Sequence, residues 1–278
     1  MKKYEGKVVL ITGSSMGIGK AMAYHFGREG ADVVINARTQ SKLESTEKEL
    51  LESGISVLSY AADVSNWEEV QAMVQATLDK FGRLDILINN AGIATRGSVE
   101  GMAAEVFDKV LRVNVLGSIY PAKASLAAIK QTKGSIVFIS SIASLHGLPY
   151  NSIYSSSKKA LTAFSESLRI ETKEAGVHVG LAYVGFTEND PQKIILDANG
   201  ERIYLKNRRG IKKQTPEEVA AIIERLIHRR KKTVTLSLMG KALKFFHKIL
   251  PIIPEMIYTR NLPTIKAQSE GEAQKVNS

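Results

Sequence analysis

The sequence predicts an α/β fold in which a doubly wound parallel sheet of seven strands carries helices on both faces. Short apolar runs alternate along the chain with longer segments of helical periodicity, which is the pattern of consecutive βαβ units. The seven runs lie at 8–11, 33–35, 56–59, 84–88, 135–139, 177–182 and 233–236. A chain of 278 residues with 44% hydrophobic content is expected to bury one core of this kind as a single domain.

The segments between these runs carry the helical pattern. Helices are predicted around Met22 and Phe26, over 68–81, over 103–130, from about 154 to 175, and after the start signal Thr215-Pro216-Glu217-Glu218. A sheet of this type binds ligands beyond the carboxyl ends of its strands, where the strand order reverses. We therefore expect functional residues at those strand ends.

Two segments lie outside the alternation. Residues 186–213 are longer and more polar than a usual connection, so they form either a substrate lid or a disordered loop. Residues 239–278 are predicted to form a C-terminal amphipathic helix and a tail, whose last part, 267–278, has the composition of a disordered segment. Residues 1–238 are then the main domain.

Composition limits the classes of function. The chain has no cysteine, so disulfides, thiolate metal sites and a cysteine nucleophile are excluded, and a reducing cytoplasm fits best. We expect no metal site, and the apolar run at 8–11 is too short for a signal sequence or a membrane span. The net charge of +10 fits an anionic cofactor, an anionic membrane surface or nucleic acid. Nucleic acid ranks last, because the basic clusters at 206–213 and 229–232 lack interleaved aromatic residues.

A glycine-rich turn follows the first strand signal. The sequence is Thr12-Gly13-Ser14-Ser15-Met16-Gly17-Ile18-Gly19, and a helical pattern follows it. Glycines here permit a tight turn and let a pyrophosphate approach backbone N–H groups at a helix N-terminus. An ordinary glycine-rich turn is the alternative, because the GxxxGxG spacing differs from GxGxxG.

Two further motifs occur in the same order along the chain. Asn89-Asn90-Ala91-Gly92 follows the fourth strand signal, and Tyr154-Ser155-Ser156-Ser157-Lys158 opens a helix after the fifth. With the glycine turn, these residues resemble the TGxxxGxG, NNAG and YxxxK motifs of the short-chain dehydrogenase/reductase family. The resemblance covers about Lys7 to Leu236, and it implies a Rossmann fold and a nicotinamide cofactor held by the glycine turn together with Asn90, Ala91 and Gly92.

The chemistry of the third motif can be argued from the residues themselves. Tyr154 and Lys158 are four positions apart and share one helix face, so the ammonium group can stabilise a phenolate and lower the tyrosine pKa. Tyr154 would then serve as an acid or base near neutral pH. An exposed tyrosine–lysine pair is the alternative.

The family resemblance adds two catalytic residues. Ser141, thirteen positions before Tyr154, matches the serine that binds the substrate oxygen, with Ser140 and Ser144 as nearby alternatives. Asn114 matches an asparagine that helps to hold a water relaying protons to the lysine, which itself also binds the cofactor ribose. The alternative for Asn114 is an asparagine at a kink inside a helix.

The cofactor phosphate is predicted from the end of the second strand. An acid there favours NAD(H), whereas an arginine accepts the 2'-phosphate of NADP(H). The residue is Arg38, which favours NADP(H), although a solvated arginine is the alternative. Asp63 and Val64 resemble the adenine contact of the family, and Asp63 could instead cap a helix, with Ser65 competing for that role.

The sequence departs from the family pattern in two places. Val184-Gly185 stands where many members have Pro-Gly, so the turn is expected to be looser and Thr187 is only a doubtful cofactor contact. The chain also continues past the last strand in a way that resembles members acting on steroids, retinoids or keto-sphingoid bases. Met239, Leu243, Phe246 and Leu250 recur on one side of the predicted helix, Lys241, Lys244 and Lys248 on another, and Pro251 and Pro254 would end it.

That helix has two interpretations. It packs on its own core or on a partner in a homodimer, or it lies in the interface of an anionic membrane. The sequence-based hypothesis is an NADPH-dependent reductase of an apolar ketone, such as a lipid, steroid or 3-keto-sphingoid compound, on the cytoplasmic side and peripheral at the membrane. A hydroxysteroid or alcohol dehydrogenase running in the oxidative direction and a catalytically idle nucleotide-binding scaffold are the alternatives.

Overall fold

The central feature of the molecule is a seven-stranded sheet. The computed structural model describes residues 2–188, 194–205, 213–250, 252–271 and 273–275. The strands are β1 (Val8–Ile11), β2 (Asp32–Ala37), β3 (Val57–Ala61), β4 (Ile86–Asn89), β5 (Ser135–Ser141), β6 (His178–Val184), β7 (Ile194–Leu196), β8 (Arg202–Leu205), β9 (Thr233–Thr235) and β10 (Ala273–Lys275). Seven of them form a parallel sheet in the order β3-β2-β1-β4-β5-β6-β9. The predicted doubly wound sheet is confirmed.

Helices cover both faces of this sheet. They are α1 (Gly17–Arg28), α2 (Gln40–Glu52), α3 (Trp67–Phe81), α4 (Ala104–Leu111), α5 (Gly117–Thr132), α6 (Ser152–Glu171), α7 (Pro216–His228), α8 (Leu238–Ile249), α9 (Ile252–Arg260) and α10 (Leu262–Gly271). One core layer joins α1, α2 and α7 to the sheet, and Phe26 lies at its centre. The other joins α3, α5 and α6 around Phe138. The strand order reverses between β1 and β4, so ligand-binding residues are expected at the carboxyl ends of these two strands.

Local sequence signals explain where helices α3 and α7 begin. The Thr215 side chain accepts a hydrogen bond from Glu218 N while the Glu218 side chain accepts one from Thr215 N, so the predicted start of α7 is a capping box. Helix α3 begins after Asn66, whose side chain accepts from Glu69 N at 3.2 Å. The cap is therefore neither Asp63 nor Ser65, the two residues considered from the sequence.

The predicted helix at 103–130 is interrupted. Residues Arg112–Leu116 form a π turn between α4 and α5, and Asn114 lies in its middle. Helix α6 also ends four residues earlier than the sequence predicts, at Glu171, and α2 has no counterpart among the predicted helices. Of these differences, the π turn is the one that concerns the predicted site, because it contains the buried Asn114.

The segment 186–213 contains a hairpin in its described part. Strands β7 and β8 pair in antiparallel fashion around a turn in which Asp197 Oδ1 accepts hydrogen bonds from Asn199 N and Glu201 N. Leu196 exchanges backbone hydrogen bonds with Ala94 O and Arg96 N, so the hairpin packs on the loop after β4. Residues 194–205 therefore form a hairpin that is hydrogen-bonded to the loop after β4. Residues 189–193 and 206–212 of the predicted lid lie outside the described residues.

The C-terminal region differs from the sequence-based expectation. Helix α8 ends at Ile249, but α9 and α10 follow it, and Pro254 lies in the first turn of α9, where a missing N–H is tolerated. Pro251 lies outside the described residues. The prediction of disorder from residue 267 is wrong for the described part, because α10 reaches Gly271 and β10 pairs with β8.

A buried carboxylate joins β1 to β4. Asp85 accepts hydrogen bonds from Val8 N at 3.0 Å, from Lys7 Nζ at 3.1 Å and from Arg83 NH2 at 2.7 Å. Burial acts to raise the pKa of Asp85, but the bonds from Arg83, Val8 and Lys7 outweigh it and hold the pKa below its ordinary value. Asp85 therefore stabilises the sheet in its ionised form.

We expect Asp85→Asn to lower the free energy of unfolding by about 2 kcal/mol at neutral pH, because an amide cannot accept all of these bonds. The native pKa is depressed, so the contribution of Asp85 is complete above its unfolded pKa of about 3.9 and is lost as the pH falls through the native pKa. Urea unfolding at pH 7 and in acid would measure it, with Asp79→Asn on the exposed side of α3 as the control. Equal urea midpoints for the two variants at pH 7 would contradict the assignment.

Candidate active site

The glycine turn lies at the point where β1 meets α1. Gly13 and Gly17 have positive φ angles of 63° and 53°, which glycine adopts without strain. A Cβ on Gly13 would lie 2.8 Å from Ala91 Cα, and one on Gly19 would overlap the Gly13 carbonyl oxygen. Only glycine fits at positions 13 and 19, so the turn is built for close backbone packing at a helix N-terminus. This geometry fits a pyrophosphate.

The NNAG segment is tied to this turn through Thr12. Thr12 Oγ1 accepts from Asn90 N at 3.0 Å and from Ala91 N at 3.1 Å. The Asn90 amide in turn donates to Thr12 O and Gly13 O at 3.0 and 2.9 Å. The carboxyl ends of β1 and β4 are thus fixed to each other where the strand order reverses, and the predicted residues Thr12, Gly13, Asn90 and Ala91 lie together.

Other residues of the turn have structural contacts. Ser15 O accepts from Thr46 Oγ1 of α2 at 3.1 Å, and Ile18 packs against the core layer of α1. Ser14, which the sequence analysis did not select, is fully buried; its Oγ donates to Ile11 O at 2.7 Å and accepts from Asn36 N at 2.9 Å. Ser14 therefore connects the glycine turn to β1 and β2 through hydrogen bonds.

Ser141 and Tyr154 face each other across the carboxyl end of β5. Their side chains share a hydrogen bond, and Ser141 Oγ also accepts from Ala143 N at 3.2 Å. Ser140 and Ser144 are turned into the core, where Ser140 Oγ donates to Ser144 Oγ and to Lys158 O. Of the three candidate serines, Ser141 is the one placed against the tyrosine.

Burial raises the pKa of the Tyr154 phenol above its ordinary value, and the hydrogen bond with Ser141 opposes this shift without cancelling it. The net direction is opposite to the lowering that the sequence analysis expected from Lys158. Lys158 Nζ donates to Ile139 O at 3.0 Å, two residues before Ser141 on the same strand. Tyr154 is accordingly a neutral phenol over the physiological range, which is the form that can donate a proton.

Asn114 connects the two halves of this site. Its Oδ1 accepts from Ile93 N at 2.8 Å, and its Nδ2 donates to Ile93 O at 2.9 Å and to Ser157 Oγ at 3.0 Å. Ser157 Oγ donates onward to Tyr154 O at 2.7 Å. The π turn thereby links the loop after Gly92 to helix α6, and the Lys158 ammonium lies close to Gly92.

Ser157 is a site residue that the sequence reasoning missed. It is fully buried and lies three positions after Tyr154, within the quoted motif. Its partner Asn114 is 43 positions away, and no local sequence pattern predicts that contact. Its position next to Lys158 on a buried helix face was the only available signal.

A cavity of about 290 Å³, lined mainly by charged residues, lies at the carboxyl end of β2. The cavity is lined by Arg38, Asp63, Ser65, Glu105, Asp108, Lys109, Arg112 and Val113. The Arg38 side chain is half exposed, and its NH1 lies 4.0 Å from Asp63 Oδ2. Asp63 Oδ1 accepts from Ser65 N and Ser65 Oγ, while Val64 is buried against Gly117. The residues predicted to select the cofactor thus meet at one cavity.

Two contacts define the course of the chain at the end of β6. Val184 is the last residue of the strand and pairs with Ser141 of β5. Gly185 approaches Ser237, where a Cβ would lie 2.8 Å from Oγ, and Thr187 forms a bridge with Gln214. The start of α8 therefore passes directly over the end of β6.

The comparisons with known proteins agree with this site. A family model described as short chain dehydrogenase matches residues 7–199. The dehydrogenase/reductase SDR family protein 7-like of Anopheles gambiae is 35% identical over 238 residues, which is 84% of this chain and 75% of that protein. The chain belongs to the short-chain dehydrogenase/reductase family and is an oxidoreductase with a Rossmann fold.

Other relatives differ in what their names say they act on or bind. The 3-ketodihydrosphingosine reductase of Bos taurus is 36% identical over 184 residues, 64% of this chain and 55% of that protein. The alcohol dehydrogenase of Thermococcus sibiricus, solved with 5-hydroxy-NADP, has a TM-score of 0.70 at 27% identity and covers 83% of this chain and 95% of its own. A Burkholderia phymatum member solved with NAD has a TM-score of 0.78 at 24% identity, over 91% of this chain and 96% of its own. A nicotinamide dinucleotide is therefore the cofactor class.

Proposed function

We propose that this protein is an NADPH-dependent reductase that converts an apolar ketone, of lipid, steroid or 3-keto-sphingoid type, to its alcohol. The observation that carries the proposal is the hydrogen-bonded Ser141–Tyr154 pair at the carboxyl end of β5, with Lys158 one turn further along α6. A chain without catalytic chemistry has no need of this arrangement, which argues against an idle scaffold.

Each residue has a proposed role in the reaction. Bound NADPH supplies a hydride from its nicotinamide ring to the carbonyl carbon. Ser141 Oγ holds the carbonyl oxygen, and the Tyr154 hydroxyl donates its proton to that oxygen as charge develops on it. Lys158 would hold the ribose hydroxyls of the bound cofactor and stabilise the Tyr154 phenolate after proton transfer, and Asn114 would help to hold a water that relays protons to Lys158.

Reduction is the proposed direction, with alcohol oxidation as the second candidate. Burial keeps the Tyr154 phenol protonated, which is the form that donates a proton to a carbonyl oxygen. The same residues would catalyse the reverse reaction when the alcohol and NADP+ are in excess.

The choice of NADPH rests on Arg38. Arg38 directly follows β2 and lines the cavity. Among the described ion pairs, its guanidinium has one contact, which is 4.0 Å long and joins it to Asp63 Oδ2. A guanidinium suits a 2'-phosphate through two parallel hydrogen bonds. Lys109 and Arg112 offset the carboxylates of Glu105 and Asp108 in the same cavity.

The enzyme is proposed to act as a homodimer on the cytoplasmic side, in peripheral contact with a membrane. Among the described residues, no helix has the length and apolar content that crossing a bilayer requires. The apolar substrate is supported by the exposed apolar side chains of α8 and α9, and by the similarity to the 3-ketodihydrosphingosine reductase of Bos taurus.

A screen of ketones with NADPH and NADH, followed by the absorbance of the reduced nicotinamide, tests this proposal. Within a series of 2-alkanones, kcat/KM is expected to rise about fourfold per added methylene until the pocket is filled, because each buried CH₂ contributes about 0.8 kcal/mol. The alcohols with NADP+ serve as the reverse control. No turnover with any ketone, or a decline of kcat/KM along the series, would overturn it.

A further inference from the structure

The C-terminal helices expose an unusual share of the apolar surface. Among the described residues, fifteen large apolar side chains are exposed, and ten of them lie between residues 238 and 262. The exposed apolar side chains of α8 are Leu238, Met239, Phe245, Phe246 and Ile249, of which Leu238, Phe245 and Ile249 are the most exposed and recur at helical spacing. On α9 they include Ile252, Met256 and Ile257. Contiguous exposed apolar surface of this kind marks an interaction site.

Most of the stripe predicted from the sequence is exposed. Leu243 packs against the core, whereas Met239, Phe246 and Leu250 are 50%, 40% and 49% exposed. Leu238, Phe245 and Ile249 are exposed as well. The sheet domain therefore leaves most of the apolar surface of α8 uncovered.

Specific contacts fix α8 and α9 beside the catalytic residues. Gly240 packs on Ile142, the neighbour of Ser141, and His247 Nδ1 lies 3.4 Å from His146 Nδ1. Tyr258 of α9 stacks on the same His146, with 5.4 Å between the ring centres. His146 lies in the loop between Ser141 and Tyr154, so the apolar surface borders the loop that connects the two proposed catalytic residues.

The charges of residues 238–266 indicate what kind of partner binds the apolar surface of α8 and α9. Between residues 238 and 266 the sequence has five basic residues and one acid, Glu255. Lys241 and Arg260 are exposed beside this apolar surface, whereas Lys244 Nζ lies over the ring of Tyr183 of the sheet domain, 4.9 Å from its centre. A two-fold contact with a second copy would place this surface against itself and oppose these like charges. An anionic bilayer complements both the charge and the apolar side chains.

We propose that the outward surface of α8 and α9 docks on an anionic bilayer and holds the loop of His146 at the lipid interface. The helices, of twelve and nine residues, lie in the interface plane and do not span it. The inference rests on the proposed function in one respect, since docking would bring a ketone dissolved in the membrane to the loop between Ser141 and Tyr154.

Sedimentation with lipid vesicles tests the docking surface. The full chain, loaded with NADPH, is expected to pellet with vesicles of phosphatidylcholine and phosphatidylserine but poorly with phosphatidylcholine alone, and less at high salt. Phe245→Ser combined with Ile249→Ser should lower the partition constant at least about tenfold. Lys241→Gln and Arg260→Gln should each lower it about fivefold.

A matched control replaces two equally exposed apolar residues elsewhere. Leu51→Ser combined with Ile170→Ser, on α2 and α6, should leave the partition constant unchanged. Protein that stays in the supernatant with both vesicle types, or a double Phe245 and Ile249 variant that still pellets fully, would overturn the proposal. So would a wild-type dimer in solution that this variant converts to a monomer.

Turnover of a short, water-soluble ketone separates this inference from the proposed function. The docking variants should reduce that ketone at the wild-type rate, while their kcat/KM for a vesicle-borne long-chain ketone should fall with the partition constant. Vesicle binding without any ketone turnover would leave the docking surface standing and refute the reductase. Ketone turnover without vesicle binding would support the reductase and refute the docking surface.

Discussion

Tyr154→Phe is expected to lower kcat for ketone reduction by about three orders of magnitude, which is within the range of a general acid. The substitution removes the hydroxyl that donates the proton and shares a hydrogen bond with Ser141. It leaves the ring, the helix α6 and the glycine turn in place. The dissociation constant of NADPH, measured by its fluorescence, should therefore stay within about twofold of wild type.

The pH profile gives this prediction a second readout. Because burial raises the pKa of Tyr154, the wild-type kcat for reduction should stay level through neutral pH and fall only on the alkaline side, where the phenol loses its proton. Tyr154→Phe should lack that alkaline limb. Substantial turnover by Tyr154→Phe would refute the assigned proton donor.

Arg38→Asp is expected to reverse the cofactor preference. The change removes a guanidinium from the cavity at the end of β2 and places a carboxylate there, beside Asp63. A lost charged hydrogen bond costs about 1.5 to 3 kcal/mol, and repulsion of the phosphate adds to it, so kcat/KM for NADPH should fall roughly 100-fold. The value for NADH should hold or rise, because a carboxylate there can accept from the ribose hydroxyl.

Arg229→Asp is the matched control for this experiment. It makes the same change in net charge at an exposed position after α7, outside the cavity. The ratio of kcat/KM for NADPH to that for NADH should be unchanged in this variant. A wild-type enzyme that already prefers NADH, or an equal shift in both variants, would show that Arg38 does not select the phosphate.

Much of the sheet could be predicted because its strands are buried on both faces. A run such as Val8–Ile11 is fully buried, and continuous apolar runs of this length leave few alternatives to a parallel strand. The relative placement of Tyr154 and Lys158 could also be predicted, because residues four positions apart share a helix face. Helix α2 was missed because its polar sequence buries only a narrow stripe, including Leu43 and Leu50.

The remaining features depend on contacts between distant segments. The hairpin of β7 and β8 is stabilised by the loop at 94–103, and the π turn at Asn114 by Ile93 and Ser157. The direction of the Tyr154 pKa shift depends on burial, which the spacing of Tyr154 and Lys158 does not reveal. The sequence likewise predicted an amphipathic α8 without showing that, of the predicted apolar stripe, Leu243 is the residue that packs against the core.

The transfer of deuterium from NADPH labelled at C4 of the nicotinamide tests the central claim most directly. The substrate is the ketone with the highest kcat/KM in the screen, and the product alcohol is analysed by mass spectrometry. If the enzyme moves a hydride to the carbonyl carbon, one of the two C4-labelled forms of NADPH should place one deuterium on the carbinol carbon, and Tyr154→Phe should suppress it. An alcohol without deuterium from either labelled form, or consumption of NADPH without an alcohol, would contradict the account.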